Sequence, residues 1–246
     1  MYKIILLLLL IFIIWRLISK KENFSIKKIK IHIINLDKDK DRLDTLDNQM
    51  AKYSLDYERY NAVNGQKYHL YKDLDIKYIS PKFKKKYNNS HKACLLSHVD
   101  LWDKIKDDKQ LNLIIEDDAI IPENLGLKIN SIMKQLPDDW GFLFLGGNKI
   151  YGTKFSRNLI QPTVNSNGNF GTFAYIVNPT KIKEILSKSK NIKVTIDWFI
   201  QSELIKNFKI FFANPQIIYH DYNNISNIIG INRKHDEISN NKITIL

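Results

Sequence analysis

Cysteine is almost absent from this chain of 246 residues, since Cys94 is its single cysteine. One cysteine excludes an internal disulfide and any zinc cluster built from several cysteines, and it leaves the redox compartment undetermined. Glycine is scarce as well, with nine residues, and the sequence contains neither a GxGxxG fingerprint nor an internal repeat. The pair Gly146-Gly147 is too short for a phosphate-binding loop. Disulfide-stapled domains and glycine-rich nucleotide loops are therefore not indicated.

Acidic residues are outnumbered, because 38 basic against 26 acidic side chains give a formal net charge of +12. The densest basic stretch is Lys82-Phe83-Lys84-Lys85-Lys86, which follows Pro81. Such a stretch can bind nucleic acid or anionic lipid, but a solvated lysine loop is the more frequent case. No nucleic-acid-binding motif accompanies it, so nucleic acid is not an expected partner.

The first 20 residues are predicted to be a signal anchor or transmembrane segment. Ile4 to Trp15 is an unbroken apolar run, and Leu17-Ile18 extends it beyond Arg16. A helix of about 15 residues spans about 22 Å, short of a ~30 Å hydrocarbon core unless flanking basic side chains snorkel. No small-x-small cleavage site follows. We therefore expect an uncleaved single-pass anchor at 1–20, a basic linker at 21–28 and a membrane-associated protein.

The side of the membrane on which the main domain lies stays open. Basic residues after the apolar run outweigh Lys3 and favour a cytoplasmic domain. N-x-S sequons begin at Asn23, Asn88 and Asn224, and they favour a lumenal one.

The rest of the chain alternates between strand and helix patterns. Strands are predicted at 29–36, 57–63, 111–115, 142–145, 173–177, 209–213 and 216–219. Helices are predicted at 43–54, 93–105, 124–136, 179–187 and 197–208, with polar excursions at 66–92 and 148–170. This alternation predicts an α/β sheet in one domain, 29–230, followed by a polar tail at 231–246.

The triplet Glu116-Asp117-Asp118 ends a buried strand and is the main candidate site. Burying an unpaired carboxylate costs several kcal/mol, so three together need a cation, hydrogen bonds or water. In an extended backbone the side chains of Glu116 and Asp118 share one face, and two such oxygen ligands suit Mg²⁺ or Mn²⁺. A solvated acidic turn before Pro122 is the alternative. Ligands of α/β sheets bind at the carboxyl ends of the strands, where this triplet lies.

Six segments, in this order and spacing, resemble a known family. They are Ile34-Asn35-Leu36-Asp37 with Arg42, Tyr60 to Gly65, Ala93 to His98 with Trp102, Ile114 to Asp118, Gly171 to Tyr175, and Ile196-Asp197. Together they resemble glycosyltransferase family 25, which includes lipooligosaccharide and procollagen galactosyltransferases. The resemblance covers about residues 30 to 225. Ala93 and Asn64 depart from it, because the family usually has Gly and Asp there.

The resemblance implies a GT-A-like nucleotide-sugar-binding fold with a mixed, mainly parallel central sheet. It implies inverting transfer of a hexose, galactose or glucose, from a UDP-sugar donor to a hydroxyl of a glycan or protein acceptor. A divalent cation, Mn²⁺ or Mg²⁺, would neutralise the diphosphate leaving group. The implied cation ligands are Asp118, Glu116 and His220, although His220 can equally be a surface histidine beside Asp221.

Asp197 is the implied general base, which takes the proton of the acceptor hydroxyl. Its alternative role is that of a carboxylate stabilised by a helix N-terminus. Asn35, Asp37 and Arg42 are expected beside the nucleotide, where Arg42 can pair with phosphate. Arg42 can instead pair with a neighbouring aspartate of its own helix.

The remaining donor-binding predictions concern a turn, a helix and the triplet itself. Asn64 and Gly65 are expected to line the nucleoside pocket, or simply to form a type I′-like turn. Ser97 and His98 are expected to contact the donor phosphates, although a histidine with apolar neighbours is often only packed. Glu116 or Asp117 is expected beside the cation or the ribose.

Two other functions remain open at this point. A metal-dependent phosphoesterase would also use the triplet, but the sequence lacks the His and Asp clusters of two-metal sites. A catalytically degenerate paralogue would act as a carbohydrate- or protein-binding module. Neither is as well supported by the ordered motifs as a glycosyltransferase.

Overall fold

The computed structural model describes residues 29–148, 150–163, 171–221 and 244–245. The predicted anchor at 1–20 and linker at 21–28 lie outside these residues. So does the predicted tail at 231–246, apart from Thr244–Ile245.

A mixed sheet forms the centre of the molecule. The strands are β1 (Ile29–Asn35), β2 (Glu58–Asn61), β3 (Leu111–Glu116), β4 (Ala119–Ile120), β5 (Trp140–Phe144), β6 (Tyr151–Lys154), β7 (Leu159–Pro162), β8 (Ala174–Val177), β9 (Lys209–Ala213), β10 (Tyr219–His220) and β11 (Thr244–Ile245). Nine of them form one sheet in the order β11-β6-β7-β9-β5-β8-β3-β1-β2, and β10 pairs with β4. Strands β2, β1, β3, β5 and β9 point the same way, while β8 runs against β3 and β5. The predicted α/β fold with a mixed, mainly parallel sheet is confirmed.

Helices cover both faces of this sheet. They are α1 (Lys40–Lys52), α2 (Lys72–Tyr78), α3 (Pro81–Lys86), α4 (Asn89–Ile105), α5 (Leu125–Met133), α6 (Ile182–Lys188) and α7 (Ile196–Trp198). A 3-10 helix, Gly65–Tyr71, precedes α2, and the π-helical turn Phe199–Glu203 and the 3-10 turn Leu204–Lys206 follow α7.

The alternation of side chains along β3 divides the apolar core into two parts. Ile114 packs on one face of the sheet with α4, while Leu113 and Ile115 pack on the other face with α1 and α5. Successive side chains of a strand point to opposite faces, so a strand buried on both faces is apolar throughout. The sheet is therefore the middle layer of three.

The carboxyl ends of β2, β1 and β3 meet at one edge of the sheet. The parallel register pairs Asn35 with Asn61 and Ile34 with Glu116. These three neighbouring strands therefore deliver polar residues to the same edge, as expected for ligand sites of α/β sheets.

The predicted single-pass membrane protein is not supported. None of the helices in the described ranges is long and apolar enough to cross a membrane. The longest of them, α4, has 17 residues and includes Lys92, Asp100 and Lys104. A spanning helix needs about 20 predominantly apolar residues. The membrane location that was predicted from the apolar run is therefore withdrawn.

Candidate active site

A pocket opens at the carboxyl edge of β1 and β3, beside the first half of α4. Its cavity has a volume of about 180 Å³. Eight of the residues predicted for the site line it: Arg42, Asn64, Gly65, Ser97, His98, Glu116, Asp117 and Asp118. The structure thus brings together segments that lie far apart in the sequence.

Glu116 is held by a chain of hydrogen bonds that runs into the core. Its Oε1 accepts hydrogen bonds from Thr172 Oγ1 at 2.8 Å and from His98 Nε2 at 3.2 Å. His98 Nδ1 lies 2.9 Å from the Tyr175 hydroxyl, which accepts a bond from Trp102 Nε1 at 2.9 Å. Since that hydroxyl can donate to Nδ1, the proton of a neutral His98 belongs on Nε2, facing Glu116. The network fixes one oxygen of Glu116 and orients its carboxylate along the pocket wall.

Asp117 lies in the floor of the pocket between two donors. Asn35 Nδ2 donates to its Oδ2 at 2.7 Å, and Arg42 Nη1 pairs with its Oδ1 at 2.7 Å. Burial raises the pKa of Asp117 to about 6, because desolvation and the neighbouring charge of Asp118 outweigh the opposing effects of Arg42 and Asn35. Asn35 itself is buried, accepts a bond from Arg59 Nε, and is not part of the pocket lining.

Asp118 contacts His220, the second residue predicted to bind the cation. Its Oδ2 lies 3.1 Å from His220 Nε2 and 3.8 Å from Arg42 Nη2. Burial opposes ionisation of Asp118, but the hydrogen bond and charge of His220 together with Arg42 hold its pKa below the ordinary value. Its other oxygen, Oδ1, is buried and has no hydrogen-bond partner among the residues that the structure describes.

Strands β4 and β10 hold Asp118 and His220 together across 102 positions of sequence. The antiparallel pairing aligns His220 with Ala119, and Asp221 N donates to the Asp118 carbonyl at 2.6 Å. Gln49 of α1 braces the same strand, because its Oε1 accepts from Ile121 N at 2.7 Å.

Glu116 and Asp118 take different partners, although both line the pocket. Strand β3 ends at Glu116, and Asp117-Asp118 form a turn, so the two-residue period of an extended strand does not apply. Among the described residues, the one trio of His, Cys, Asp or Glu with all ligand atoms within 4.8 Å of one another is Cys94, His98 and Glu116. The potential ligand atoms of Glu116, Asp118 and His220 do not all lie within this distance of one another.

Asn64, Gly65 and Ser97 form another part of the pocket wall. Asn64 has φ −88° and ψ 114° and caps the 3-10 helix by accepting from Gln66 N at 2.9 Å, so it does not form a type I′ turn. A Cβ on Gly65 would lie 3.1 Å from the backbone of Ser90, which explains why glycine fits this close approach. The buried Ser97 hydroxyl donates to Ala93 O and accepts from Val63 N, and so ties this wall to α4.

Four predicted residues, Asn35, Asp37, Asp197 and His220, are not among the residues that line the pocket. Asp37 is exposed and pairs with Arg59 Nη2 at 2.8 Å and Asn61 Nδ2 at 3.0 Å. Asp197 lies in the first turn of α7, where its Oδ1 accepts from Thr195 Oγ1 at 2.6 Å and from Trp198 N at 3.0 Å.

Asp197 is nevertheless close enough to influence the pocket electrostatically. Burial raises the pKa of the Cys94 thiol well above its ordinary value, and the negative charges of Glu116, Asp197 and Asp118 raise it further. Since Cys94 lines the pocket, the charge of Asp197 acts on at least one of the lining residues.

Sequence reasoning missed several residues that build the site. Cys94 served only to exclude an internal disulfide and a zinc cluster of several cysteines. Cys94 and His98 are nevertheless four residues apart, and this spacing places two side chains on one face of a helix. Thr172 and Tyr175 lay inside a recognised segment without a role. Gln49 gave no signal, because its partners are backbone atoms that lie about seventy positions away.

The sequence profile of glycosyltransferase family 25 (LPS biosynthesis protein) matches residues 28–200. The chain belongs to glycosyltransferase family 25. The predicted enzyme class, a glycosyltransferase, is thereby confirmed. No curated protein matches the chain.

Three solved structures are distantly similar to this family 25 chain. The apo glycosyltransferase GlyE of Streptococcus pneumoniae has 13% identity and a TM-score of 0.32, over 65% of this chain and 36% of that one. A 4-diphosphocytidyl-2C-methyl-D-erythritol synthase from Anaerococcus prevotii has 16% identity and a TM-score of 0.39, over 87% and 96%. Mouse xyloside xylosyltransferase 1, in its apo form, has 9% identity and a TM-score of 0.37, over 77% of each chain. Likeness at this level adds nothing to the family assignment.

Proposed function

We propose that this family 25 glycosyltransferase moves a hexose, galactose or glucose, from a UDP-sugar to a hydroxyl of a glycan or protein acceptor. The transfer is inverting and depends on a divalent cation, Mn²⁺ or Mg²⁺. The domain would use the GT-A-like arrangement, with the donor at the carboxyl edge of β1 and β3. Family membership supports the glycosyl transfer, and the carboxylates that line the pocket support the cation requirement.

One observation carries the cation requirement. Asp118 Oδ1 is a buried acceptor with no hydrogen-bond partner among the described residues, on the side of the pocket that also holds two further carboxylates. A buried acceptor left without a donor costs about 1–3 kcal/mol, and a cation removes that cost. Carboxylate oxygens with one imidazole suit Mn²⁺, so the residues present fit the group.

Asp118 would hold the cation, with His220 beside it and Glu116 reaching in from β3. When bound, the cation supplies electrostatic stabilisation of the diphosphate leaving group. Arg42 adds a fixed positive charge, which Asp117 orients at 2.7 Å. Asp117 and Asn35 act here as supports for Arg42 and the floor of the pocket, since both are engaged with protein donors or acceptors.

The part of the pocket wall at Asn64 and Gly65 would receive the nucleoside. Asn64 and Gly65 present backbone atoms at a close approach to α4, and a side chain on Gly65 would narrow this gap. Ser97 and His98 act by holding the wall and Glu116 in place, because their hydrogen bonds within the protein are already made.

Asp197 is the proposed general base. Its Oδ1 is fixed by Thr195 and by the backbone of Trp198. This anchoring leaves Oδ2 as the oxygen that takes the proton of the acceptor hydroxyl. Its position outside the pocket lining suits a group that meets the acceptor rather than the nucleotide.

Hydrolysis of the donor tests this proposal without knowledge of the acceptor. Purified protein is incubated with UDP-galactose, UDP-glucose, UDP-N-acetylglucosamine and GDP-sugars, each with Mn²⁺ or with EDTA, and free nucleotide is measured. We expect Mn²⁺-dependent release of UDP from UDP-galactose or UDP-glucose. Asp118→Asn is expected to lower the rate about 100-fold or more, as the loss of an electrostatic stabiliser does.

Asp139→Asn is the matched control, because Asp139 is exposed and pairs only with Lys209 among the contacts described for it. Its rate should equal that of the wild type. Cleavage of no UDP-sugar, together with tight UDP binding, would instead favour the degenerate binding module.

A further inference from the structure

We propose that Cys94, His98 and Glu116 form a second cation site, which takes a soft divalent cation such as Zn²⁺. This site is distinct from the proposed Mn²⁺ position at Asp118 and His220, although Glu116 borders both. Its existence does not depend on the proposed sugar transfer.

The potential ligand atoms of the three residues are clustered, and one pair of them already has the spacing that zinc requires. The Cys94 sulfur, a His98 nitrogen and a Glu116 oxygen all lie within 4.8 Å of one another. His98 Nε2 and Glu116 Oε1 are 3.2 Å apart. Two ligands at about 2.0–2.1 Å from a tetrahedral zinc are separated by roughly 3.3 Å, so this pair matches one edge of the tetrahedron.

Rigid elements present these ligands. Cys94 and His98 are four residues apart on α4 and therefore lie on the same face of that helix. The helix is fixed by its buried neighbours Leu95, Val99 and Trp102, while Glu116 is the last residue of the central strand β3. A site built on a helix and a strand needs little rearrangement to bind.

Outer partners of the kind found around zinc-bound histidines are present as well. A metal-bound histidine usually places its second nitrogen against an oxygen acceptor. Here the Tyr175 hydroxyl lies 2.9 Å from His98 Nδ1, and Thr172 donates to Glu116 at 2.8 Å. When Nε2 binds the cation, the ring proton moves to Nδ1, from which the Tyr175 oxygen can accept it in a hydrogen bond.

The chemistry of the ligand set defines which cation it selects. Thiolate and imidazole favour Zn²⁺ and Cd²⁺ over Mn²⁺ and Mg²⁺, which prefer oxygen ligands. Binding releases the thiol proton of Cys94 to the solvent, and the sulfur then bonds to the cation as a thiolate. All three residues line the pocket, so a fourth coordination position faces the cavity and is open to water or to a ligand.

A consequence follows if the proposed function also holds. A cation on Cys94, His98 and Glu116 withdraws Glu116 from the donor side of the pocket. Zn²⁺ would then inhibit a Mn²⁺-dependent transferase, and loss of the thiol would relieve that inhibition.

Titration of the metal-free full-length protein with Cd²⁺ tests the site directly. The readout is the ultraviolet charge-transfer absorption of a cadmium–thiolate bond. Because the chain has a single cysteine, such a band can arise only from Cys94. We expect a saturable band at one equivalent, which excess Zn²⁺ removes and excess Mn²⁺ does not.

Four variants separate a built site from a simple thiol. Cys94→Ser should abolish the band, and His98→Gln should weaken Cd²⁺ binding at least about 10-fold. Asp139→Asn should leave the band unchanged, because Asp139 is exposed and lies outside the pocket lining. Circular dichroism confirms that each variant is folded. If His98→Gln unfolds, Tyr175→Phe takes its place, and we expect Tyr175→Phe to weaken Cd²⁺ binding by a smaller factor.

Absence of the band in wild-type protein would overturn the proposal. An equal Cd²⁺ affinity in folded His98→Gln or Tyr175→Phe protein would overturn it too, because the thiol would then bind alone. Failure of UDP-sugar hydrolysis with an intact cadmium band would reject the proposed function and leave this site standing.

Discussion

Glu116, Asp117 and Asp118 are consecutive residues, yet each carboxylate has a different environment. Glu116 accepts hydrogen bonds from Thr172 and His98, Asp117 from Asn35 and Arg42, and Asp118 contacts His220. Hydrogen bonds and opposite charges offset the cost of burying these groups. Only one oxygen of the triplet, Asp118 Oδ1, is both buried and without a described hydrogen-bond partner. This difference makes Asp118 the proposed principal cation ligand.

The location of single residues in one pocket was predictable where a sequence pattern carried them. The triplet, His98 and the loop at Asn64-Gly65 were expected at one site, and all of them line one pocket. The support of Glu116 by Tyr175, through His98, was not predictable. Hydrogen bonds between side chains on different elements depend on packing that no local pattern encodes.

At the residue scale, Asp197→Asn tests the proposed general base. The asparagine side chain keeps an oxygen that can accept from Thr195 and from the Trp198 amide, but it cannot take a proton from the acceptor. We expect kcat for UDP-sugar hydrolysis to fall by about 100-fold or more, since general-base catalysis contributes 10²–10⁴. Calorimetry should show an unchanged Kd for UDP with Mn²⁺.

Glu203→Gln serves as the control for Asp197→Asn, because Glu203 is exposed and pairs with Lys206. It should leave both kcat and Kd at the wild-type values. Full activity in Asp197→Asn would assign the proton transfer to another group.

Among the elements, the small sheet of β4 and β10 matters most for the site, because it joins Asp118 to His220. Both strands have only two residues and contribute little pairing energy of their own. Gln49 of α1 supports β4 by accepting a hydrogen bond from Ile121 N. The cation position thus depends on a helix that does not itself provide a proposed ligand to the cation.

Gln49→Leu tests this dependence at the element scale. The substitution leaves the Ile121 amide without its partner, which costs about 1–3 kcal/mol. We expect the free energy of unfolding in urea to fall by that amount and UDP binding with Mn²⁺ to weaken. Thr45→Ala is the control on the same helix, because the exposed Thr45 side chain bonds only to Asp41 O. An equal free energy of unfolding for Gln49→Leu and wild type would show that the hydrogen bond from Ile121 N to Gln49 does not stabilise β4.

Elements with a clear apolar pattern were predictable, and those without one were not. Strand β9 has the predicted bounds, Lys209–Ala213, because its buried run is short and apolar. The helices α2 and α3 occur within 66–92, where a polar excursion was expected. Their stability comes from tertiary contacts of Tyr78 and Phe83 and from the Ser80 cap, which accepts from Phe83 N. Such contacts leave little periodicity in the sequence.

The helix predicted for 197–208 is a second difference of this kind. It is observed as α7 followed by a π-helical turn and a 3-10 turn. Apolar spacing detects the buried face of such a segment, but it does not report changes in backbone hydrogen bonding. Asp197 therefore lies in a much shorter α-helix than expected.

On the scale of the whole molecule, the layered α/β sheet was predictable because strand and helix patterns alternate. The strand order was not, since it requires β8 to lie between β3 and β5. The pairing of β11 with β6 was not predictable either, because β11 lies in the segment that was predicted to be a polar tail. The pairing of strands that are distant in sequence depends on how their side chains pack together, and a single sequence carries only an indirect signal of that packing.

The central claim is that UDP and a divalent cation bind together in the pocket beside Asp118. Thermal unfolding with UDP, with Mn²⁺ and with both tests it most directly, because ligands that bind the native state raise Tm. We predict that the pair raises Tm by more than the sum of the separate effects, and that Asp118→Ala loses this excess. A Tm without metal-dependent response to UDP, or an unchanged response in Asp118→Ala, would contradict the account.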